Sequence, residues 1–368
     1  MNQQKDRTIV VTGTAAVSPV GFRVEQTCAS IRAGICRFHS HPFYFPKLPE
    51  PPLSEPEPAT AAFVPTLSLD LSLPERLMGL ATLPMQNFIE SAALKRNDLK
   101  SAGIFVSLPS TERTRQYSGY ERAFVEEYLK RLGMEAGRAR KIYNNGNAGV
   151  LSAVGDATHT LLSGSCRFAI LIGVDSYADY ESLKWLDESY RLKSERNVDG
   201  FIPGEAGVIL LLETLVHARM RNARILGRIE GLGAAVETEN IHSEKGPSGK
   251  GLVDASRKVF QDKDGMQSIW VICDLNGESY RAQEWGIFLC RAANRFQNLK
   301  ALWHPADCVG DVGAASAGLY ISMACEAFKK NYAPSDRAFI WCASDDGKRA
   351  ACLVARADSN TAADGQHE

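Results

Sequence analysis

The sequence contains no run of about 20 consecutive apolar residues, the length that a membrane-spanning helix needs. Its opening residues, Met-Asn-Gln-Gln-Lys-Asp-Arg, lack the apolar core of a secretory signal peptide. Acidic and basic residues are interspersed, with a formal net charge of −1 at pH 7, so no basic stripe indicates a nucleic-acid partner. These absences predict a cytoplasmic protein that neither crosses a membrane nor binds nucleic acid.

Metal-binding and disulfide patterns are also missing from the sequence. The nine cysteines include no CxxC pair, and the His-x-His pair of His39 and His41 has no further ligands at a metal-binding spacing. Several cysteines, such as Cys273 and Cys342, lie in apolar runs, which favours buried and reduced thiols. We therefore expect no metal and no cofactor.

What the chain does contain is an alternation of short apolar and amphipathic segments, which is typical of an α/β fold. With 368 residues, of which 45% are hydrophobic, it can bury one large core or two fused ones. Strands are predicted at residues 8–13, 103–108, 168–173, 207–212, 268–273, 299–303, 338–342 and 351–355. Helices are predicted at residues 84–97, 119–132, 149–162, 279–296 and 312–330.

The pattern restarts near residue 224, which predicts an N-terminal half at residues 1–220 and a similar C-terminal half at residues 221–356. Eight prolines between residues 42 and 66 predict a surface loop or arm, because proline removes backbone donors and fixes φ. Residues 357–368 are expected to form a polar tail.

Four motifs resemble those of the β-ketoacyl synthases, condensing enzymes of the thiolase fold. Residues 10–21 (Val-Val-Thr-Gly-Thr-Ala-Ala-Val-Ser-Pro-Val-Gly) are similar to the opening of these enzymes, and residues 199–207 (Asp-Gly-Phe-Ile-Pro-Gly-Glu-Ala-Gly) closely match a second motif. Residues 310–318 resemble Gly-His-x-x-Gly-Ala-Ala-Gly, and residues 144–149 fill the turn that carries the catalytic cysteine. The resemblance implies a thiolase-like α/β duplication, an α-β-α-β-α layered sandwich.

The same resemblance implies that the catalytic set of the family is replaced. In these enzymes a cysteine at a helix N-terminus carries the acyl group, and two histidines stabilise the anion that forms during the reaction. Here Gly146 takes the place of the cysteine, Asn276 and Asp311 those of the histidines, and Ala306 that of an ordering lysine. Residues 344–348 take the place of a gating Phe turn. Glycine cannot form a thioester.

Polar residues around these positions are open to two interpretations. Asn145 and Asn147 could bind a polar ligand, or asparagines here could tolerate a left-handed turn and cap the following helix. Glu278, together with Asp274 and the two residues in the histidine positions, could form an acidic pocket or could lie in solvated loops. Glu205 is expected to hold a loop through backbone N–H groups and is also a candidate ligand-binding residue.

Two further groups of residues need an interpretation. Cys308, with His304 nearby in sequence, is the best candidate for a displaced nucleophile, although nothing places it at a helix N-terminus. The run from residue 274 to 286 sets an arginine and two aromatic residues close together, which fits either an interface or helix packing: Tyr280, Arg281 and Trp285.

Joint loss of the catalytic set predicts a catalytically inactive ketosynthase-like protein that acts as a binding or assembly adaptor. The run 274–286 also resembles thiolase-like accessory proteins of bacterial type VI secretion effector modules, which implies an adaptor for a secreted effector. The alternative is an acyl-handling enzyme, or a non-catalytic partner subunit of a β-ketoacyl synthase in fatty acid or polyketide synthesis, with an acyl carrier protein as partner. Because the ketosynthases that it resembles are homodimers, a homodimer is expected.

Overall fold

The computed structural model describes residues 7–49, 55–117, 119–131, 140–261 and 268–357. The predicted polar tail, from residue 358 onward, and residues 50–54 of the proline-rich stretch lie outside the described residues. Within these ranges, every helix is too short or too polar to span a lipid bilayer.

The strands fall into two sets, and five strands of the first set follow the same order as the five strands of the second. The first set is β1 (Ile9–Val17), β2 (Phe38–Ser40), β3 (Thr60–Ala62), β4 (Gly103–Ser107), β5 (Arg140–Tyr143), β6 (Ala169–Ser176) and β7 (Glu205–Thr214). The second set is β8 (Gly227–Val236), β9 (Ile269–Cys273), β10 (Leu299–Trp303), β11 (Arg337–Ala343) and β12 (Lys348–Ala355). The order β1-β7-β6-β4-β5 in the first half is matched by β8-β12-β11-β9-β10 in the second. In both halves the first three strands pair antiparallel and the last three pair parallel.

The helices connect these strands. In the first half they are α1 (Val24–Arg32), α2 (Leu73–Thr82), α3 (Met85–Ala92), α4 (Arg96–Lys100), α5 (Tyr120–Arg131), α6 (Gly149–Leu162), α7 (Tyr180–Glu188) and α8 (Leu215–Met220). In the second half they are α9 (Lys250–Phe260), α10 (Ser279–Arg291), α11 (Ala293–Phe296), α12 (Ala306–Val309) and α13 (Ser316–Lys329). The predicted helix at 149–162 has the bounds of α6.

The layered sandwich is confirmed. The two halves meet edge to edge at β1 and β8 over three residue pairs, Ile9–Ile229, Val10–Arg228 and Val11–Gly227, while α6 and α13 pack between the two sets of strands. Of the 14 residues of α13, 13 are buried, as expected for a helix covered on all sides. Helices α2, α3 and α5 cover the outer face of the first half, and α9, α10 and α11 cover that of the second. The order of layers is therefore α-β-α-β-α.

The proline-rich stretch is not wholly a surface loop, which corrects the prediction for residues 42–66. Its C-terminal end forms β3, which pairs antiparallel with β2, and residues from Ala59 to Val64 are largely buried. The reason is a sequence of small and apolar residues that follows the last closely spaced prolines. Another difference is that the helix predicted at 84–97 is two helices, α3 and α4, because Ala93 takes a left-handed conformation with φ 49°.

Candidate functional site

Two tight turns face each other at the centre of the molecule, one before each central helix. The first is the 3₁₀ turn Gly146–Ala148, which leads into α6, and the second is Gly313–Ala315, which leads into α13. Each begins with a left-handed glycine, with φ 59° at Gly146 and φ 49° at Gly313. Glycine adopts these angles without the steric cost that a side chain adds. The same backbone geometry thus precedes both helices.

The asparagines of the first turn do not have the role that turn preferences predict. The left-handed residue is Gly146, whereas Asn145 has φ −107° and its side chain makes no capping hydrogen bond. Asn147 instead donates from Nδ2 to Asp311 Oδ1 across 3.2 Å. The interpretation of these asparagines as left-handed or capping residues is therefore wrong, and Asn147 links the two halves.

A backbone amide at the start of α6 is already occupied. Ala148 N donates to Ser344 Oγ across 3.0 Å, and Ser344 Oγ donates in turn to the carbonyl of Asn145. Ser344 lies in the turn between β11 and β12 and is buried. Free N–H groups at a helix N-terminus can stabilise an anion, and here a serine hydroxyl from the other half takes one of them.

Asp311 connects the two turns through its carboxylate. Its Oδ1 accepts from Asn147 and, across 2.8 Å, from Gly313 N, while Oδ2 accepts from Asn276 Nδ2 across 2.8 Å. Asn276 Nδ2 also donates to Glu278 Oε2 across 3.0 Å. An asparagine amide has two hydrogens to donate, so both donors of Asn276 are committed to carboxylates.

Two buried arginines balance the carboxylates around Asn276. Arg191 makes a two-point pair with Glu278, at 2.7 Å and 2.8 Å, and reaches Asp345 Oδ2 across 2.6 Å. Arg281 donates to Asp274 Oδ2 across 2.9 Å. We name this connected cluster the polar core: Asn147, Arg191, Asp274, Asn276, Glu278, Arg281, Asp311 and Asp345.

The acidic residues of the polar core are buried rather than solvated. Asp274, Glu278 and Asp311 are 1%, 5% and 4% exposed. Their interpretation as solvated loop residues is therefore wrong. Because buried charges are stable only when they are paired and hydrogen-bonded, the two arginines are required for this arrangement.

Two carboxylates of the polar core have opposite pKa shifts. Burial raises the pKa of Asp274 to about 6, against the opposing effect of Arg281, and its Oδ1 is buried without a hydrogen-bond partner. Burial would also raise the pKa of Asp345, but the guanidinium groups of Arg191 and then Arg281 outweigh it and lower the pKa to about 2. Of these two carboxylates, Asp345 is therefore the one that the arginines hold in its charged form.

An ion pair outside the polar core, which sequence reasoning missed, fixes the second turn. Asp175 Oδ2 accepts from Ala314 N across 2.8 Å, and its Oδ1 pairs with Arg113. Arg113 also donates to the Ser176 carbonyl across 2.6 Å and to Ser182 Oγ across 2.7 Å. The position of Asp175 directly after the apolar run of β6 was a readable signal, whereas the sequence gives no indication of its partner.

Glu205 lies apart from the polar core and is fully buried. Val64 N donates to its Oε1 across 2.6 Å, Arg76 Nη2 donates to the same oxygen across 2.8 Å, and Ser176 Oγ donates to Oε2 across 2.7 Å. These bonds satisfy both carboxylate oxygens. Glu205 thus holds the end of the proline-rich stretch and α2 against the first half.

The short helix α12 carries Ala306 and Cys308. Ala306 makes no side-chain contribution to the polar core, although its carbonyl accepts from the backbone at the end of the helix. Burial, and then the neighbouring Cys36 thiol, raises the pKa of Cys308 to about 12, so it is protonated at neutral pH. His304 pairs with Asp307 across 2.7 Å. This environment does not activate Cys308 as a nucleophile.

The remaining candidate residues make contacts within the chain. Arg281 is buried in its ion pair with Asp274, and Trp285 is buried and stacks on Trp341 with ring centroids 5.5 Å apart, so contacts inside the chain replace the interface interpretation for these two residues. Tyr280 is half-buried and donates to a backbone carbonyl. His41 bonds the carbonyl of a buried residue, and across the described ranges no group of three or more potential ligands could hold a metal.

Space for a ligand differs between the two turns. A Cβ at Gly146 would meet no atom within 4 Å, whereas a Cβ at Gly313 would lie 2.1 Å from Asp175 Oδ2. An open cleft of about 500 Å³ adjoins the first turn, with this lining: Thr111, Glu121, Arg122, Ile142, Tyr143, Asn144 and Asn145. Of the candidate ligand-binding residues, Asn145 is therefore the one at an open surface.

Sequence comparison finds similarity to condensing enzymes over short segments. No family model matches the chain. It is 46% identical to 3-oxoacyl-[acyl-carrier-protein] synthase 2 of Mycobacterium tuberculosis over 48 residues, which are 13% of this chain and 11% of that protein. It is 24% identical to the synthase of the same name from Coxiella burnetii over 124 residues, 33% of this chain and 30% of that protein. The matched segments thus span less than a third of these relatives.

Structural comparison covers nearly the whole chain. The ketosynthase from module 6 of the bacillaene synthase of Bacillus subtilis superposes with a TM-score of 0.76 at 16% identity, covering 95% of this chain and 72% of that one. The ishigamide ketosynthase/chain length factor superposes with a TM-score of 0.73 at 16% identity, covering 96% and 100%. A type II polyketide ketosynthase in complex with its acyl-carrier protein gives 0.77 at 14% identity, covering 96% and 100%. The chain therefore has the thiolase-like fold of the ketosynthases.

Proposed function

We propose that this ketosynthase-like protein is catalytically inactive in condensation and serves as a binding or assembly subunit. The observation that carries the proposal is the pairing of a turn without a nucleophile, at Gly146, with a polar core whose donors are already used. In the proposed correspondence, Gly146, Asn276, Asp311 and Ala306 stand where the ketosynthases have their cysteine, two histidines and lysine.

The first turn has no group that could carry an acyl chain. Gly146 has no side chain, and the hydroxyl of Ser344 is bound between the Ala148 amide and the Asn145 carbonyl. A nucleophilic hydroxyl needs a base that accepts its proton, and no such contact is made by Ser344. Covalent catalysis at this turn is therefore unsupported.

The polar core also has no free donor at the two proposed histidine positions. An ionised Asp311 carboxylate accepts hydrogen bonds and cannot stabilise a developing oxyanion. Asn276 has donors, but both point to Glu278 and Asp311. The arrangement therefore offers no free donor at these two positions to the anion that a condensing enzyme must stabilise.

What the polar core does is fasten the two halves together. Removing one partner of a buried ion pair typically costs about 3–5 kcal/mol, because an uncompensated charge remains. Arg191 comes from the first half, whereas Glu278 and Asp345 come from the second. In an assembly subunit such a fixed centre would hold the outer surfaces in one arrangement.

A reaction assay tests the inactive state directly. The purified protein is incubated with an acyl-loaded and a malonyl-loaded acyl carrier protein, beside an active ketosynthase as positive control. We expect no condensation product, no loss of carbon dioxide from the malonyl group, and no acyl mass increase on the protein. Turnover, or an acyl group on any cysteine, would contradict the proposal.

The proposed role in a cell is that of a cytoplasmic adaptor for a secreted effector, in the manner of the type VI secretion accessory proteins. A homodimer through the edge strand β5, next to the first turn, is the proposed assembly state. Light scattering at micromolar concentration tests this assembly state. A monomeric mass would contradict the dimer, but it would not affect the proposal that the protein is catalytically inactive.

A second candidate function is that of a non-catalytic partner subunit of a β-ketoacyl synthase. Similarity to the ishigamide ketosynthase/chain length factor, over 96% of this chain, favours it. Such a subunit would pair with an active ketosynthase and contact an acyl carrier protein.

A tagged pull-down from the native host separates the two candidates. Mass spectrometry of the co-purified proteins is expected to identify an effector or a secretion component. Recovery of an acyl carrier protein or an active ketosynthase would overturn the adaptor role and support the partner subunit. Calorimetry with this protein and the co-purified partner, each in purified form, then tests whether the two bind each other directly.

A further inference from the structure

Two of the nine cysteines are exposed. Among the contacts of the described residues, only one of these two cysteines has a second thiol as its neighbour. The exposed cysteines are Cys36 and Cys290. Cys36 Sγ donates to the carbonyl of Asp307 across 3.0 Å, and its thiol contacts that of Cys308, the next residue. Cys36 and Cys308 are thus neighbours in space. In the sequence they are 272 positions apart, because Cys36 and Asp307 are 271 positions apart and Cys308 follows Asp307.

The elements that carry these thiols allow a small reagent to reach them. Cys36 lies in the exposed segment that follows α1, and Cys308 lies on α12 and lines a cavity of about 390 Å³. Residues of α1, β10, α12 and α13 form the cavity walls. A pair of thiols in which one is exposed and the other lines a cavity is a site for oxidation.

We propose that Cys36 and Cys308 form a reversible disulfide that ties the segment after α1 to α12. The inference does not depend on the proposed function, because it concerns two thiols outside the polar core.

The oxidant is a small-molecule disulfide such as oxidised glutathione. The Cys36 thiolate attacks one sulfur of the oxidant, which forms a mixed disulfide and releases one thiol. Cys308 then loses its proton and attacks the Cys36 sulfur, which forms the protein disulfide and releases the second thiol. The protein loses two electrons and two protons, and the oxidant becomes two thiols.

The two cysteines differ in the step that they can perform. Cys36 is exposed and meets the oxidant first. Burial raises the pKa of Cys308 to about 12, so it is a poor attacking group in solution, but the contact with Cys36 gives it a high effective concentration for the second step.

The disulfide would act on the loop that leads to the polar core. Helix α12 ends at Val309, two residues before Asp311, whose carboxylate joins the two turns. A cross-link between residues this far apart in sequence restricts the unfolded chain and raises the thermal unfolding midpoint. Reduction is expected to reverse the rise.

The experiment oxidises the folded, full-length protein with oxidised glutathione at defined ratios to reduced glutathione and maps the products by mass spectrometry. We expect a loss of two hydrogen masses and a cross-linked peptide that contains residues 36 and 308. A dithiol reductant should remove both signals and return the unfolding midpoint to that of the reduced protein.

Three variants distinguish this disulfide from general thiol oxidation. Cys36→Ser and Cys308→Ser should each abolish the cross-link, and Cys308→Ser should accumulate glutathione on Cys36. Cys290→Ser, which removes the other exposed thiol, should leave the cross-link unchanged. A stable glutathione adduct on Cys36 of the wild-type protein, without a cross-link, would overturn the proposal. Equal adduct formation at Cys36 and Cys290 would overturn it as well.

Discussion

The first turn, Gly146–Ala148, and the second, Gly313–Ala315, have the same backbone geometry but different surroundings. Each begins with a left-handed glycine and leads into a helix of 14 residues, α6 or α13. At the second turn a Cβ would collide with Asp175, whereas at the first turn a Cβ would enter open space. Glycine is required at Gly313 by packing and backbone together, but at Gly146 by the backbone alone.

In this duplicated fold, only the first turn retains open space beside its glycine. The first half closes the second turn with a buried ion pair, Arg113 and Asp175, whose carboxylate binds the Ala314 amide. The second half binds the first turn through the hydroxyl of Ser344 and the carboxylate of Asp311, and leaves empty the space that a Cβ at Gly146 would occupy. Sequence alone does not reveal this asymmetry, because both turns contain glycine.

We expect the largest effect from removing the ion pair that holds the second turn. Asp175→Ala leaves Arg113 buried without its partner, and we expect the free energy of unfolding to fall by about 3–5 kcal/mol. Urea unfolding measures it. The exposed pair of Arg257 and Asp254 supplies the control, because Asp254→Ala should cost less than about 1 kcal/mol. Equal effects of the two changes would show that the buried pair at the second turn stabilises the fold no more than an exposed pair does.

Adding one methyl group tests the packing difference itself. Gly313→Ala combines the left-handed backbone cost, about 1–2 kcal/mol, with a clash against Asp175, so we expect about 2–4 kcal/mol in urea unfolding. Gly34→Ala is the matched control, since Gly34 has φ 67° and nothing within 4 Å of its Cβ. If both variants lose the same stability, the second turn is no tighter than an open one.

Much of the fold was predictable because it depends on local patterns. The apolar run and helical spacing of residues 149–162 predict α6 with its observed bounds, and the strand at 299–303 agrees with β10. Helix α2 was missed although Ser72 and Glu75 form a capping box before it, with Ser72 N donating to Glu75 Oε2 across 3.0 Å. The sequence therefore contains a local signal for the start of this helix.

The site was predictable in position but not in its contacts. The motifs place Asn276, Glu278 and Asp311 near one another, and the hydrogen bonds join them. The arginines that pair with these carboxylates could not be foreseen, because Arg191 lies 87 residues from Glu278 and only the folded topology brings them together. Burial of an acidic residue depends on such a partner, so sequence could not decide between pocket and solvated loop.

A pH series tests how the polar core holds the turn that carries Ser344. The pKa of Asp345 is lowered to about 2, so its contribution is complete above its unfolded value near 4 and is lost as the pH falls towards 2. Asp345→Asn should therefore cost about 2 kcal/mol at pH 7 and much less at pH 2, measured by urea unfolding. Asp346→Asn, at the exposed neighbour, should cost less than about 1 kcal/mol at both values. A pH-independent loss at Asp345 would show that charge is not the cause.

The smallest effect is expected at the first turn. Gly146→Cys adds a thiol to open space, so the cost should be the backbone cost alone, about 1–2 kcal/mol and similar to that of Gly34→Ala. The new thiol should react with iodoacetamide in the folded protein faster than a thiol introduced by Gly313→Cys, which mass spectrometry of the labelled peptides measures. A thiol alone should not restore condensation, because Asn276 has no free donor for the anion and Asp311 adds a carboxylate. Condensation by Gly146→Cys would show instead that the polar core is compatible with the reaction, and that one side chain separates this protein from an enzyme.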